Sequence, residues 1–202
     1  VMLSSLPGTA VSAVKIEGVS HEYEAIPGIK ESMLDIILNL RELKLRKHSK
    51  EPELVEVSFS KSGEIKAKDL QVSSDIEILD PEQHIATCDG ANAKNKMVLR
   101  IEKGVGFKVV SNEDHAAEDD PTFILIDANF SPVTKCRYEV KPARVGDQTN
   151  LDAVDLECET DGSLEAENAI KLAANIIQSY YQLLNNEEAY KDEDFTTSFD
   201  SL

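Results

Sequence analysis

His21-Glu22-Tyr23 is the most compact group in this sequence that could do chemistry, since it sets a base, an acid and a phenol side by side. General acid–base work needs those groups to converge on one point. In an extended strand, adjacent side chains point to opposite faces, which separates Glu22 from His21 and Tyr23. The trio therefore reads as a polar strand end suited to an interface, because Tyr and His offer apolar area with a polar tip. The remaining histidines, His48, His84 and His115, are scattered, with no HExxH and no Cys/His cluster at ligand spacing. Gly104-Val105-Gly106 beside Lys103 falls short of a phosphate-cradling loop and reads as a turn. No serine sits in GxSxG, and carboxylates are so abundant that pairs of them carry no information. The expectation is no catalytic residue, no metal and no cofactor. A rival reading, an acidic metal-dependent α+β enzyme, would draw divalent-cation ligands from the acid-rich run 112–120 and from other segments.

Composition narrows the classes further. At 202 residues and 41% hydrophobic residues the chain can bury a core of one or two domains. Its 38 acidic against 21 basic residues give a formal charge of −17, which argues against gripping a phosphate backbone. Direct DNA contact is not expected. The three cysteines, Cys88, Cys136 and Cys158, are far apart and form no CxxC pair, so neither a disulfide framework nor a zinc site is suggested. Without a membrane-length apolar run or a signal-peptide pattern, the expected location is cytoplasmic.

The elements that must position these residues follow from periodicity. Val1-Met2-Leu3 ahead of Ser4-Ser5-Leu6-Pro7-Gly8 reads as the last turn of a helix that begins further upstream. From 11 to 17 apolar residues alternate, with a one-residue shift between Ala13 and Val14, as in a strand. After the turn at Pro27-Gly28, Ile29, Met33, Ile36, Ile37 and Leu40 fall at helical spacing, with Glu31 and Asp35 near the start and Arg41, Lys44 and Arg46 after it. The stretch 53–140 reads as short, mostly antiparallel strands at 54–59, 76–79, 97–101, 123–130 and 133–140, with 112–120 an exposed loop. A further strand at 154–159 alternates with its acids outward. A second helix is expected after Asp161-Gly162, capped by Ser163, with Glu165 and Glu167 in its first turn. Its apolar stripe is Ile170, Ala173, Ala174, Ile177, Tyr180, Tyr181 and Leu184. The acid-rich end from 185 to 202 reads as a disordered tail.

Several ordered segments resemble the N-terminal region of the alpha subunit of bacterial-type RNA polymerase. They are Leu3-Ser4-Ser5-Leu6-Pro7-Gly8, Gly18-Val19-Ser20-His21-Glu22-Tyr23 running into a helix that ends Leu38-Asn39-Leu40-Arg41, the segment ILIDANFSPV at 124–133, Ala143-Arg144-Val145 followed by Thr149-Asn150-Leu151-Asp152, and Glu159-Thr160-Asp161-Gly162. The fold class this implies is α+β, a discontinuous dimerisation domain of sheet plus helices holding a mainly antiparallel β insert domain. The dimerisation domain would take 1–8 and 140–184, the insert 9–139.

The same resemblance implies a non-catalytic assembly subunit of DNA-directed RNA polymerase that homodimerises and scaffolds the beta and beta-prime subunits. The dimer interface would be Ile170, Ala173, Ala174, Ile177, Tyr181 and Leu184. Leu3, Ser4, Ser5, His21, Glu22, Tyr23, Arg41 and Arg144 would bind the large subunits, Arg41 mainly beta-prime. The family's first strand and most of its first helix would lie ahead of Val1. A free-standing protein-interaction adaptor would differ only in its partner.

Overall fold

The computed structural model describes residues 1–19, 21–58, 62–89, 96–111, 114, 120–146 and 148–185. It opens on a single helical turn, closed by the Ser5 N–H donating to the Val1 carbonyl at 2.8 Å. Leu6 is buried, and Pro7 begins the first strand, β1 (Pro7–Ile16). Four antiparallel strands form the main sheet in the order β3-β7-β1-β9, with β3 Glu53–Ser58, β7 Lys96–Val105 and β9 Ile124–Leu125.

The one-residue shift in the apolar pattern of β1 is a β-bulge. Val11 pairs with Ile101 and Ala13 with Arg100, leaving Ser12 as the extra residue. Val11, Ala13 and Val14 are all buried as a result. Helix α1 (Met33–Arg41) covers one face of this sheet with Met33, Ile36, Ile37 and Leu40. Its start is set by a capping box: Ser32 Oγ accepts from the Asp35 N–H, and the Asp35 carboxylate accepts from the Ser32 N–H at 3.0 Å. Ile29, expected inside this helix, instead sits in a bridge to Cys88 after the turn at Gly28.

Small antiparallel pairs close the core around α1. They are β2 (Leu45–Lys47) with β5 (Ile76–Ile78), and β4 (Gly63–Lys66) with β6 (His84–Cys88). Lys47 is buried within this region, and its ammonium donates to Asp75, to Ser49 Oγ at 2.7 Å and to Glu53 at 3.2 Å. The expected strand at 123–130 divides into β9 and β10 (Ala128–Asn129), which pairs with β8 (Phe107–Lys108). Between them Ile126 N–H donates to Ser12 O at 2.8 Å, and Asp127 accepts from Val110 N–H, so the chain leaves one sheet for the other.

Three further expectations are corrected. His21-Glu22-Tyr23 is a turn rather than a strand, because β1 ends at Ile16 and Gly18 takes φ +82. Gly104 and Val105 belong to β7, with the turn confined to Gly106; a side chain at Gly104 would strike the Phe130 ring, its Cβ standing 2.6 Å away. Ser163 does not cap the last helix, since both its N–H and its hydroxyl donate to Asp161 Oδ1, at 2.8 and 2.5 Å.

The second region is a hairpin of two long strands, β11 (Val133–Val145) and β12 (Gln148–Thr160), followed by helix α2 (Ala166–Asn185). Arg46 ties it to the first region, donating to Ser163 O at 2.8 Å and Gly162 O at 3.0 Å. Most of the run 112–120 and all of the expected tail beyond Asn185 lie outside the described residues.

Candidate assembly surfaces

Helix α2 carries two apolar stripes. Ala169, Leu172, Ala173 and Ile176 face inward and pack with Leu6, Met2, Val133, Cys136, Cys158 and Leu164. Ala173 is thus taken up by the core of its own chain, a correction to the stripe read from sequence. Ile170, Ala174, Ile177, Tyr181 and Leu184 follow one another at four- and three-residue steps along the other side. Ile170 is half-buried and Ala174 exposed, while Ile177, Tyr181 and Leu184 are 43%, 68% and 82% exposed.

The hairpin carries an exposed apolar face of its own. Cys136 opposes Cys158, Tyr138 opposes Leu156 and Val140 opposes Val154, all on one face by strand alternation. Helix α2 covers the cysteine end of that face, whereas Tyr138, Val140, Val154 and Leu156 are all exposed. The opposite face is charged, with Lys135 between Glu157 and Glu159 and Lys141 on Asp155. Acids outward was the sequence expectation for 154–159; the exposure of the alternate, apolar face was not anticipated.

A second surface forms around α1. His21, Glu22, Leu34, Leu38 and Arg41 line a groove of about 530 Å³, closed on the far side by Phe123 and Ile126. Arg41 also stands 5.9 Å from the ring centroid of Phe107, which is half exposed. Tyr23 is 75% exposed, and its hydrogen bond to Glu22, followed by that carboxylate's charge, raises the phenol's pKa. Because the segment is a turn, Glu22 and Tyr23 meet, which the strand reading had excluded. Leu34 and Leu38 escaped the sequence reading; their four-residue spacing, off the buried stripe and in line with Arg41, is the signal that could have found them.

The opening turn borders this surface. Leu3 and Ser4 are exposed, Ser5 is half-buried, and Leu3 O accepts from Ser131 Oγ at 2.9 Å. Ser4 O lies 3.0 Å from where a Cβ at Gly106 would stand, one residue before Phe107. The structure thus brings Ser4, Gly106, Phe107 and Arg41 into one neighbourhood, and His21 and Glu22 line the same groove as Arg41. Arg144 is not among them; it sits at the hairpin end, its Nε donating to Gly146 O at 2.9 Å.

The base of α1 is fixed by hydrogen bonds to Glu31. Glu31 accepts from Thr87 N–H at 2.6 Å and Thr87 Oγ1 at 2.8 Å, and stands 3.1 Å from His84 Nε2. Burial opposes its charge, but the Thr87 hydrogen bonds outweigh that and hold its carboxyl below the usual range. All its partners are consumed in positioning α1, so the cluster is structural. No group of three or more His, Cys, Asp or Glu converges at metal distance among the described residues. No described helix is long and apolar enough to cross a membrane.

Residues 14–131, which hold α1, the groove and the main sheet except most of β1, match the family described as RNA polymerase Rpb3/RpoA insert domain. The chain belongs to that family. Among its similar proteins are DNA-directed RNA polymerase subunit alpha of Alkaliphilus oremlandii, 45% identical over 184 residues, and of Moorella thermoacetica, 42% identical over 194 residues. That of Heliobacterium modesticaldum is 43% identical over 183 residues. These alignments cover 91%, 95% and 91% of this chain and 57%, 61% and 57% of the relatives, so the chain spans about three-fifths of their length. The hairpin and α2 lie outside the matched insert but inside the aligned length of Moorella thermoacetica's subunit, since 95% of this chain is covered.

Proposed function

We propose that this chain is a non-catalytic assembly subunit of a DNA-directed RNA polymerase, acting in the cytoplasm and contacting no DNA itself. It dimerises through α2 and the apolar hairpin face, and offers the α1 groove and the opening turn to the large beta and beta-prime subunits. The dimer seam comprises Ile170, Ala174, Ile177, Tyr181 and Leu184. Leu3, Ser4, Ser5, His21, Glu22, Tyr23 and Arg41 form the large-subunit face, with Arg144 contributing separately from the hairpin end. The dimerisation domain takes residues 1–8 and 133–184 and the insert the stretch between them, a boundary moved from 140 because β11 is one strand from Val133 and Val133 packs with α2.

The observation that carries this reading is the outward stripe of α2. A single soluble fold gains nothing from holding Ile177, Tyr181 and Leu184 in water beside four exposed apolar side chains of the hairpin. Burying half a dozen such side chains at roughly 1.5 kcal/mol each gives on the order of 10 kcal/mol of gross stabilisation before association entropy is subtracted. Membership of a polymerase-subunit family lends no support to an acidic metalloenzyme or to a free-standing adaptor.

Substituting Ile177→Asp tests the seam. Light scattering on a sizing column should show a dimer become a monomer, while the β-sheet circular dichroism stays unchanged. An unaltered molar mass would refute α2 as the seam.

A further inference from the structure

The pairing of β11 with β12 sets Cys136 directly opposite Cys158, although 22 positions separate them in the chain. Directly opposed residues of an antiparallel pair have Cα atoms about 4.5 or about 5.5 Å apart. Both separations lie inside the range of about 4.4–6.8 Å that a disulfide spans. The two side chains leave the same face of the hairpin, are half-buried, and both pack against the cluster of Leu6, Val133, Ala169 and Ala173 beneath α2. Burial first, and then the neighbouring Cys136, push the Cys158 thiol up. Cys136 Sγ also donates to the Met2 thioether at 3.8 Å. Cys88 stands apart, buried in the core around α1 and opposite Gly63.

We propose that Cys136 and Cys158 form a redox site, closing to a reversible cross-strand disulfide when the chain meets a low-molecular-weight disulfide such as glutathione disulfide. One protein thiolate displaces a glutathione thiolate from the reagent, leaving a protein–glutathione mixed disulfide. The second cysteine, once it has released its proton to water, attacks the protein sulfur and expels the other glutathione thiolate. Two protein thiols are oxidised, and one glutathione disulfide is reduced to two glutathione thiols. The bond ties the floor of α2 together at the inner end of the exposed apolar face. This inference does not depend on the polymerase assignment.

The test exposes the 202-residue chain to glutathione disulfide, removes the reagent, unfolds the chain and alkylates it before mass spectrometry. Of its three thiols, one should remain alkylatable, with the chain two hydrogens lighter and a linked 136–158 peptide recovered. Dithiothreitol should restore all three. Cys158→Ser should instead retain a glutathione adduct, and Cys88→Ser should still form the bond. Three alkylatable thiols after exposure, a stable glutathione adduct on the unsubstituted chain, a bond between two chains, or loss of the bond in Cys88→Ser would each overturn the site.

Discussion

The sheet-and-α1 region and the hairpin-and-α2 region are both amphipathic, but only the first closes over its own apolar side chains. Around α1, one cluster takes in Val14, Met33, Ile36, Ile85, Met97, Leu99 and Ile101, all fully buried. Its buried cation, Lys47, has two carboxylates and a hydroxyl as partners. In the second region the fully buried core is small, chiefly Leu6, Val133, Ala169 and Ala173. Tyr138, Val140, Val154, Leu156, Ile177, Tyr181 and Leu184 of this region lie in water. A region that cannot bury its apolar faces alone is completed by another surface, and this is why the dimer seam is assigned to α2 rather than to the sheet.

The same substitution made in each region should break or uphold this contrast. Leu99 is 0% exposed and Leu184 82% exposed. Leu99→Ala leaves a cavity in a close-packed core and should lower unfolding free energy by about 3 kcal/mol in urea titration. Leu184→Ala should change it by under about 0.5 kcal/mol at dilutions where self-association contributes nothing. Its effect should appear instead as weaker dimerisation. Equal losses in the two variants would mean that α2 is as enclosed as the sheet, and the comparison would fail.

Lysines sharpen the contrast at a smaller scale. The Lys47 side chain is 1% exposed, whereas Lys135 and Lys141 on the hairpin are each 52% exposed. Lys47→Ala should destabilise by about 2 kcal/mol, less than for a fully buried pair because Glu53 and Asp75 retain some water. Lys135→Ala, which breaks a solvent-screened pair, should cost under about 0.5 kcal/mol. The hydrogen bond from Lys47, followed by that from Ser49, lowers the Asp75 carboxyl to about 2. With an unfolded value of about 3.9, its contribution is complete above that pH and lost as pH falls toward the folded value. Urea titrations across that acid window should therefore slope less in Lys47→Ala than in the parent. Parallel slopes would detach Asp75 from Lys47.

What was legible in the sequence follows the same division. Both helices, the bulged β1 and the hairpin strands were readable, because a buried face imposes its own period on the residues that make it. The two faces of α2 were not separable, since Ala173 and Ala174 are adjacent and both suit a helix contact. Only the packing of Ala173 against Leu6 and Val133 decides between them. The turn at His21–Tyr23 was missed because β-forming residue types hid the break that Gly18 imposes. The α1 groove was only partly visible, since Phe107, Phe123 and Ile126 join it from positions far along the chain. The cysteine pair was invisible for the same reason: register, not spacing, sets Cys136 against Cys158.

The cap of α1 gives the most local test of how the first region holds its groove. Ser32 Oγ accepts from Asp35 N–H at 3.3 Å and also donates to the Asp35 carboxylate at 2.6 Å, which lowers that carboxyl's pKa. Ser32→Ala removes the hydroxyl and leaves an N–H of the first turn without its acceptor, a change worth about 1 kcal/mol. Met33 follows at once and is buried, so fraying there loosens the core, while Leu34 carries the loosening to the groove wall. Amide exchange in the first turn of α1 should quicken in this variant, with α2 protected as before. If α2 exchange quickened equally, the two regions would unfold as one unit, and the division between a self-sufficient core and a partner-seeking helix would have to be abandoned.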